Sequence, residues 1–448
     1  MKFLLIIFLM MNLFYLVGED QVTIYNENFS LIRTSLELEL SKGMQSYFME
    51  DIPSSIEANS VIIKPLKSGF EIFSQNYEYD LADTDKILEK YIGKSIEVIT
   101  KSDSKFSGEL QFNDYKSIGI ADETTGKLNL IRIDEIRNFS LSKLPENFYL
   151  KPTLHWKLLS KKAGNYPIDL SYICSGMRWN ATYNTVWNED DKKLELNSWV
   201  TITNNTGKAF ADTKLKLVAG DVQKVQNYQK SRGYIEHGID LAGFGEADAP
   251  SFEEKAFHDF HLYTLSDNVS INNKQTKQLR LFPTASVKAN SKYEYNTFNE
   301  KINSVITFIN SKKDGLGIPL PKGIVKIYKK DEADNNLEFI GEDRIDHTAK
   351  DEEVKLVSGK SFDLIAKTIV VEQRKISRNI YEKDILVELK NHSDKSKTIT
   401  IIHRLSGEWE IFNEDIDYEK IDANTIEFEK TLKANEIFEL TWTERIEH

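Results

Sequence analysis

The stretch Leu170 to Val218, LSYICSGMRWNATYNTVWNEDDKKLELNSWVTITNNTGKAFADTKLKLV, constrains the fold more than any other part of this chain. It reads as four consecutive strands with turn chemistry between them, and it carries three of the six tryptophans, Trp179, Trp187 and Trp199. Successive strand side chains alternate faces, so Leu194, Leu196 and Ser198 point one way while Glu195, Asn197 and Trp199 point the other. Burying one Trp contributes about 4–6 kcal/mol at ~25 cal/mol per Å². Trp179, Trp187, Trp199 and Tyr183 are therefore expected in the core.

A chain of 448 residues is too long for one hydrophobic core, and 40% apolar residues suffice to build two or three domains. The formal net charge of −12, with Lys and Arg spread throughout, argues against nucleic acid as the main partner, because phosphate binding needs a basic stripe. Cys174 is the only cysteine, so an intrachain disulfide and a multi-thiolate zinc site are both excluded. Its neighbours Tyr172, Ile173 and Met177 suggest a buried, inert thiol. No cofactor motif occurs.

Residues 1–18, MKFLLIIFLMMNLFYLVG, have one lysine and then an apolar run from Phe3 to Val17. As a helix the run spans about 22 Å at ~1.5 Å per residue, short of the ~30 Å hydrocarbon core, so it reads as a secretory signal peptide cleaved after Gly18. An uncleaved anchor is the competing reading. No later run is apolar enough to span a bilayer. The mature protein is expected to be soluble in an exported compartment, periplasmic or extracellular.

Residues 19–82 read as an N-terminal β segment, with Leu36, Leu38 and Leu40 alternating against Glu37, Glu39 and Ser41. DTDKILEKY, Asp83 to Tyr91, predicts a short helix capped by Asp83 or Thr84, with Ile87, Leu88 and Tyr91 at helical spacing. With the strands after it, residues 83–143 resemble the SH3-like and Sm-like small barrels, Gly108 marking a sharp bend. Leu144–Pro152 is a linker. Strands resume from Leu154, except over Asp221–Phe257, where four glycines and scattered charges suggest a mobile connection. The expected fold class is all-β: antiparallel β-sandwich domains over 144–448, with the N-terminal β segment and the inserted small barrel.

One local pattern recurs without reading as a true repeat. WVTITNNTG, VITFINSKKDG and ILVELKNHSDKS each run an alternating strand into Asn and a polar turn. Asn204, Asn310 and Asn391 can close such turns by side-chain to backbone bonds and tolerate left-handed geometry.

Seven stretches, among them LPENFYLKPTLHW, LNSWVTITNNTGKAFADTKLKLVAGDV, GLGIPLPKGIVKIY and GEWEI, resemble bacterial exported proteins with the domain of unknown function DUF4139, including those labelled mucoidy-inhibitor-like. The resemblance covers roughly Leu144 to Ile411. It implies an exported, β-rich envelope protein and offers no catalytic motif. Longer relatives carry a coiled-coil region; here the small barrel occupies that place.

Two groups invite a chemical reading. His258 and His261 in FHDFHLY are candidate metal ligands, since i and i+3 meet on a helix, but the flanking residues read as a strand, where they fall on opposite faces. FIGEDRIDHTAKDEEV places Glu342, Asp343, Arg344, Asp346 and His347 in one loop, making Asp343, Asp346 and His347 candidate catalytic residues. The competing reading is a polar turn held by Arg344 salt bridges. Nothing here is a reaction signature. The expected role is a non-enzymatic structural or binding protein for another envelope protein or a glycan; the alternative is a carbohydrate-active hydrolase using loop carboxylates.

Overall fold

A computed structural model describes residues 20–79, 84–114, 116–142, 149, 151–224, 252–299 and 301–447. The expected signal peptide and most of the expected linker and mobile connection lie outside these residues. The fold is all-β. Among the described residues the one α-helix is Thr84–Glu89, and no helix is long and apolar enough to cross a membrane.

Eight strands make a first sandwich: β1 (Asp20–Tyr25), β2 (Phe29–Leu40), β3 (Gly164–Ser175), β4 (Met177–Asn188), β5 (Lys193–Asn204), β6 (Phe210–Ala219), β7 (Phe260–Leu265) and β8 (Gln275–Arg280). One sheet runs β7-β6-β1-β2-β3 and the other contains β4, β5 and β8. Eight more make a second: β9 (Ala285–Asn296), β10 (Ile302–Ile309), β11 (Glu353–Lys360), β12 (Leu364–Lys375), β13 (Ile380–Asn391), β14 (Lys397–Arg404), β15 (Thr425–Leu432) and β16 (Ile437–Glu447). The strands at residues 20–40 thus belong to the first sandwich rather than to a separate N-terminal segment.

The second sandwich repeats the first, strand for strand. Antiparallel pairs β1–β2, β2–β3, β4–β5, β6–β7 and β5–β8 recur as β9–β10, β10–β11, β12–β13, β14–β15 and β13–β16. The parallel pair β1–β6 recurs as β9–β14, a departure from the purely antiparallel expectation. The starts of β4, β5 and β6 (177, 193 and 210) map onto those of β12, β13 and β14 (364, 380 and 397) at one constant offset. The Asn pattern is therefore partly a true repeat, contrary to the sequence reading. Conserving strand pairing requires no conserved side chains, only matched alternation, so the repeat is faint in the letters.

The buried Asn204 ends β5 and the buried Asn391 ends β13 with the same bonds. Asn204 Nδ2 donates to Lys208 O at 2.9 Å while its Oδ1 accepts from Thr206 N at 3.1 Å. Asn391 Nδ2 donates to Lys395 O at 2.8 Å while its Oδ1 accepts from Ser393 N at 3.0 Å. Asn310 likewise donates to Ile318 O at 2.7 Å and Ala349 O at 3.0 Å. None of the three adopts left-handed backbone geometry.

Both sandwiches are interrupted between their second and third strands. In the first, the β2–β3 ladder ends at Leu40↔Gly164 and resumes at Gly43↔Ser160, joining Gly43–Met49 to Thr153–Ser160, with Phe70–Glu78 on the other side. Beyond lie the helix and five strands in the order Ile136–Leu141, Ser95–Thr100, Lys105–Asn113, Ser117–Ala121 and Leu128–Arg132. They wrap a core of their own that includes Leu88, Tyr91, Val98, Leu110 and Ile120. The two end strands do not pair, so this is an open, curled sheet rather than a closed barrel. Gly108 sits against Ala121 O, where a Cβ would collide.

The interruption of the second sandwich returns to the first. Gly323–Lys330 pairs in parallel with β4, from Ala181↔Gly323 to Trp187↔Lys329, and Leu337–Ile345 pairs with it on the far side. Elsewhere a boundary differs from expectation: Phe252–Phe257, expected in the mobile connection, is an edge strand beside β7.

Trp179, Trp187 and Tyr183 are buried, and the Trp179 indole donates to Val218 O at 3.2 Å across the interior. Trp199 is a correction. It is only half-buried, on the face of β5 opposite the buried Leu194, Leu196, Ser198 and Val200. Pleating fixes the face by position, whatever the size of the side chain.

Candidate functional site

The FIGEDRIDHTAKDEEV segment is a strand through Ile345, not a loop. Asp343 lies on it and is held by backbone: Oδ2 accepts from Val357 N at 2.7 Å and Oδ1 from Arg344 N at 2.8 Å. Those bonds tie the carboxylate to the backbone of its own strand and of β11. Arg344 makes no ion pair among the described residues, so salt bridges do not hold the segment either.

Asp346 and His347 follow the strand. His347 Nδ1 accepts from the backbone N–H of Lys322 at 3.2 Å, and the buried Nε2 has no partner among the described residues. Burial, then the charge of Lys322, pushes the His347 pKa down against the opposing pull of Asp221 and Asp346. Lys322 Nζ reaches Asp221 Oδ1 at 2.5 Å, and that bond holds the Asp221 carboxyl below its ordinary value. His261 is close enough for its charge to act on His347, and its Nδ1 contacts Glu254 Oε1 at 2.7 Å.

His258 and His261 do not share a strand. His258 stands in the two-residue turn between Phe257 and Phe260 with φ 57°, and its Nδ1 contacts Asp259 Oδ2 at 2.8 Å. The tight turn puts His261 back beside Glu254 and aims His258 away. Among the described residues no three His, Cys, Asp or Glu side chains are placed to hold a metal ion. The structure thus joins His347, Lys322 and Asp221 into one polar cluster, within range of the His261 charge, and leaves out Asp343 and His258.

A second cluster went unread in the sequence. In the second sandwich Lys383 Nζ reaches Glu444 Oε1 at 3.0 Å, Glu444 Oε2 meets His403 Nε2 at 2.8 Å, and His403 Nδ1 meets Thr297 Oγ1 at 2.7 Å. His403 and Glu444 are buried. Burial raises the Glu444 pKa, but the hydrogen bonds and charges of His403 and Lys383 outweigh it and the carboxyl ends below its ordinary value. Hydroxyl, imidazole and carboxylate stand in the order used for nucleophile activation. Thr297, however, is 9% exposed, and Phe298 stacks over the imidazole at 5.7 Å. The signal was available: His403 follows Ile399 and Ile401, and Glu444 follows Leu440 and Trp442, on inward-facing strand positions where polar groups need partners.

Cys174 is buried against Ser30 Oγ at 3.2 Å, and burial pushes its thiol pKa up to about 11. Near it, the first residues of the expected mobile connection are anchored. Val222, Gln223 and Lys224 line a cleft of about 430 Å³ with Glu27, Asn28 and Phe29, and Lys224 pairs with Glu57. The chain matches no known family model and no curated protein.

Proposed function

We propose that this is an exported cell-envelope protein without enzymatic activity, whose inserted five-stranded sheet is a recognition head for another envelope protein or a glycan. The reading keeps the resemblance to the DUF4139 proteins and the signal-like first eighteen residues as its support for export. One observation carries the binding role. The head has its own hydrophobic core, and its outermost strand Leu128–Arg132 exposes Leu128 at 53% and Leu130 at 67%. Two large aliphatic side chains on one face of an edge strand are ordinary interface material and poor surface material. Crosslinking the mature chain in native envelope, followed by mass spectrometry, should recover a stoichiometric partner that is lost with Leu128→Ser/Leu130→Ser. Recovery of the same partner by that variant would refute the head as the recognition surface.

The hydrolase alternative would need two carboxylates flanking a glycosidic bond, and the Thr297–His403–Glu444 file, with one carboxylate beside a buried hydroxyl, does not supply them.

A further inference from the structure

The repeat exposes an asymmetry. In the first sandwich the edge strand β4 is covered by Gly323–Lys330, supplied by the interruption of the second sandwich. In the second, the equivalent strand β12 pairs with β13 alone, and among the described residues its other side has no strand. Each sandwich has one such acceptor edge and one interruption at the same place in its topology. The second interruption covers the first edge. The second edge is open, and the first interruption covers no such edge.

The open strand is not uniformly blunted. A bulge at Val371 and the Arg374 pairs with Glu372, Asp384 and Glu382 obstruct its C-terminal half. The regular part is Leu364–Val370, with Ile365 at 48% and Val370 at 52% exposure. On the first interruption Gly43–Met49 is also a sheet edge among the described residues, with an unbroken register to its one described neighbour, and it exposes Met44 at 52% and Phe48 at 48%. It holds neither Pro nor Lys, the residues that usually protect an edge. Three other edges are protected: Ile62–Pro65 is short and ends in proline, Phe70–Glu78 is bulged, and Phe252–Phe257 carries Glu253, Glu254 and Lys255.

We propose that Leu364–Val370 accepts the Gly43–Met49 edge of a second copy of this chain, joining copies head to tail. The occupant follows from the molecule's own rule, in which an interruption covers the edge of a neighbouring sandwich. Donor and acceptor are different surfaces, so the contact is heterologous and grows beyond a dimer unless it closes into a ring. This goes beyond the recognition role and does not depend on it.

Sedimentation equilibrium of the full chain tests the proposal with two double variants, Ile365→Lys/Val370→Lys at the acceptor and Met44→Lys/Phe48→Lys at the donor. All four positions are exposed, so circular dichroism should be unchanged. The wild-type protein should grow past dimer as concentration rises. Each double variant should remain monomeric, and an equimolar mixture of the two should form a dimer that grows no further. A monomeric wild type, a donor variant that still associates, or a mixture that stays monomeric would overturn it. Independently of any variant, amide exchange across Leu364–Val370 should slow by about tenfold or more between dilute and concentrated wild-type protein, and unchanged exchange would also overturn it.

Discussion

At the scale of single residues, facing and partnering decide what a side chain is worth. Trp179 and Trp199 lie on paired strands, yet the first is buried and the second half-buried. Trp179→Ala should cost about 3–5 kcal/mol through the cavity it leaves. Trp199→Ala should cost only about 1 kcal/mol, within the range of surface and boundary changes. Denaturant midpoints of the two variants check the difference, and equal losses would contradict it. His347 offers a pH test. Its folded pKa lies below the ordinary 6.5, so near and below that pH the unfolded chain binds more protons than the folded one. The stability contributed by neutral His347 is present above the unfolded value and is lost as pH falls toward the folded one. The melting temperature of wild type relative to His347→Asn should therefore decline between about pH 7 and about pH 5, and a constant difference would contradict the assignment.

At the scale of elements, turns and close approaches fix the strands. Asn391 satisfies the carbonyls of Lys395 and Lys433, each at 2.8 Å, from the end of β13. Asn391→Ala leaves those groups without their donor and should cost about 2–4 kcal/mol, and Asn204→Ala should cost a similar amount at the equivalent turn. Chemical denaturation of both variants measures this; a large loss at one site and none at the other would break the equivalence of the turns. In the inserted sheet, Gly108 permits Lys105–Asn113 to approach Ala121. Gly108→Ala should open that sheet to proteolysis between residues 95 and 141 while both sandwiches keep their amide protection. An intact inserted sheet in this variant would show that the approach relaxes.

At the scale of the whole molecule, the two sandwiches are tied together. Strand β9 pairs with β5 through Ala285–Lys288 and with β14 through Tyr293–Asn296. Ile306, Phe308, Val354 and Leu356 of the second sandwich belong to the hydrophobic core of the first. Unfolding either sandwich alone would strip apolar surface from the other, so calorimetry should show one transition for the pair. Ile327→Ala, in the strand laid on β4, should lower that transition as a whole by about 2–5 kcal/mol of stability. Two separated sandwich transitions would contradict the coupling.

The sequence by itself determined the all-β class, the strands from Leu170 to Val218, the buried Trp179, Trp187 and Tyr183, and the Asn-closed turns. Each of these is written in local alternation or in the bonding capacity of one side chain. Only the tertiary structure decided which edges meet. It placed residues 20–40 in the first sandwich, laid Gly323–Lys330 on β4 and left β12 open. It also brought the Lys322 N–H to His347 and Glu444 to His403, across separations of 25 and 41 residues. Strand pairing is made by backbone groups that every residue carries, so its partners leave little trace in the side chains. A cluster assembled from distant strands leaves none until the register is known.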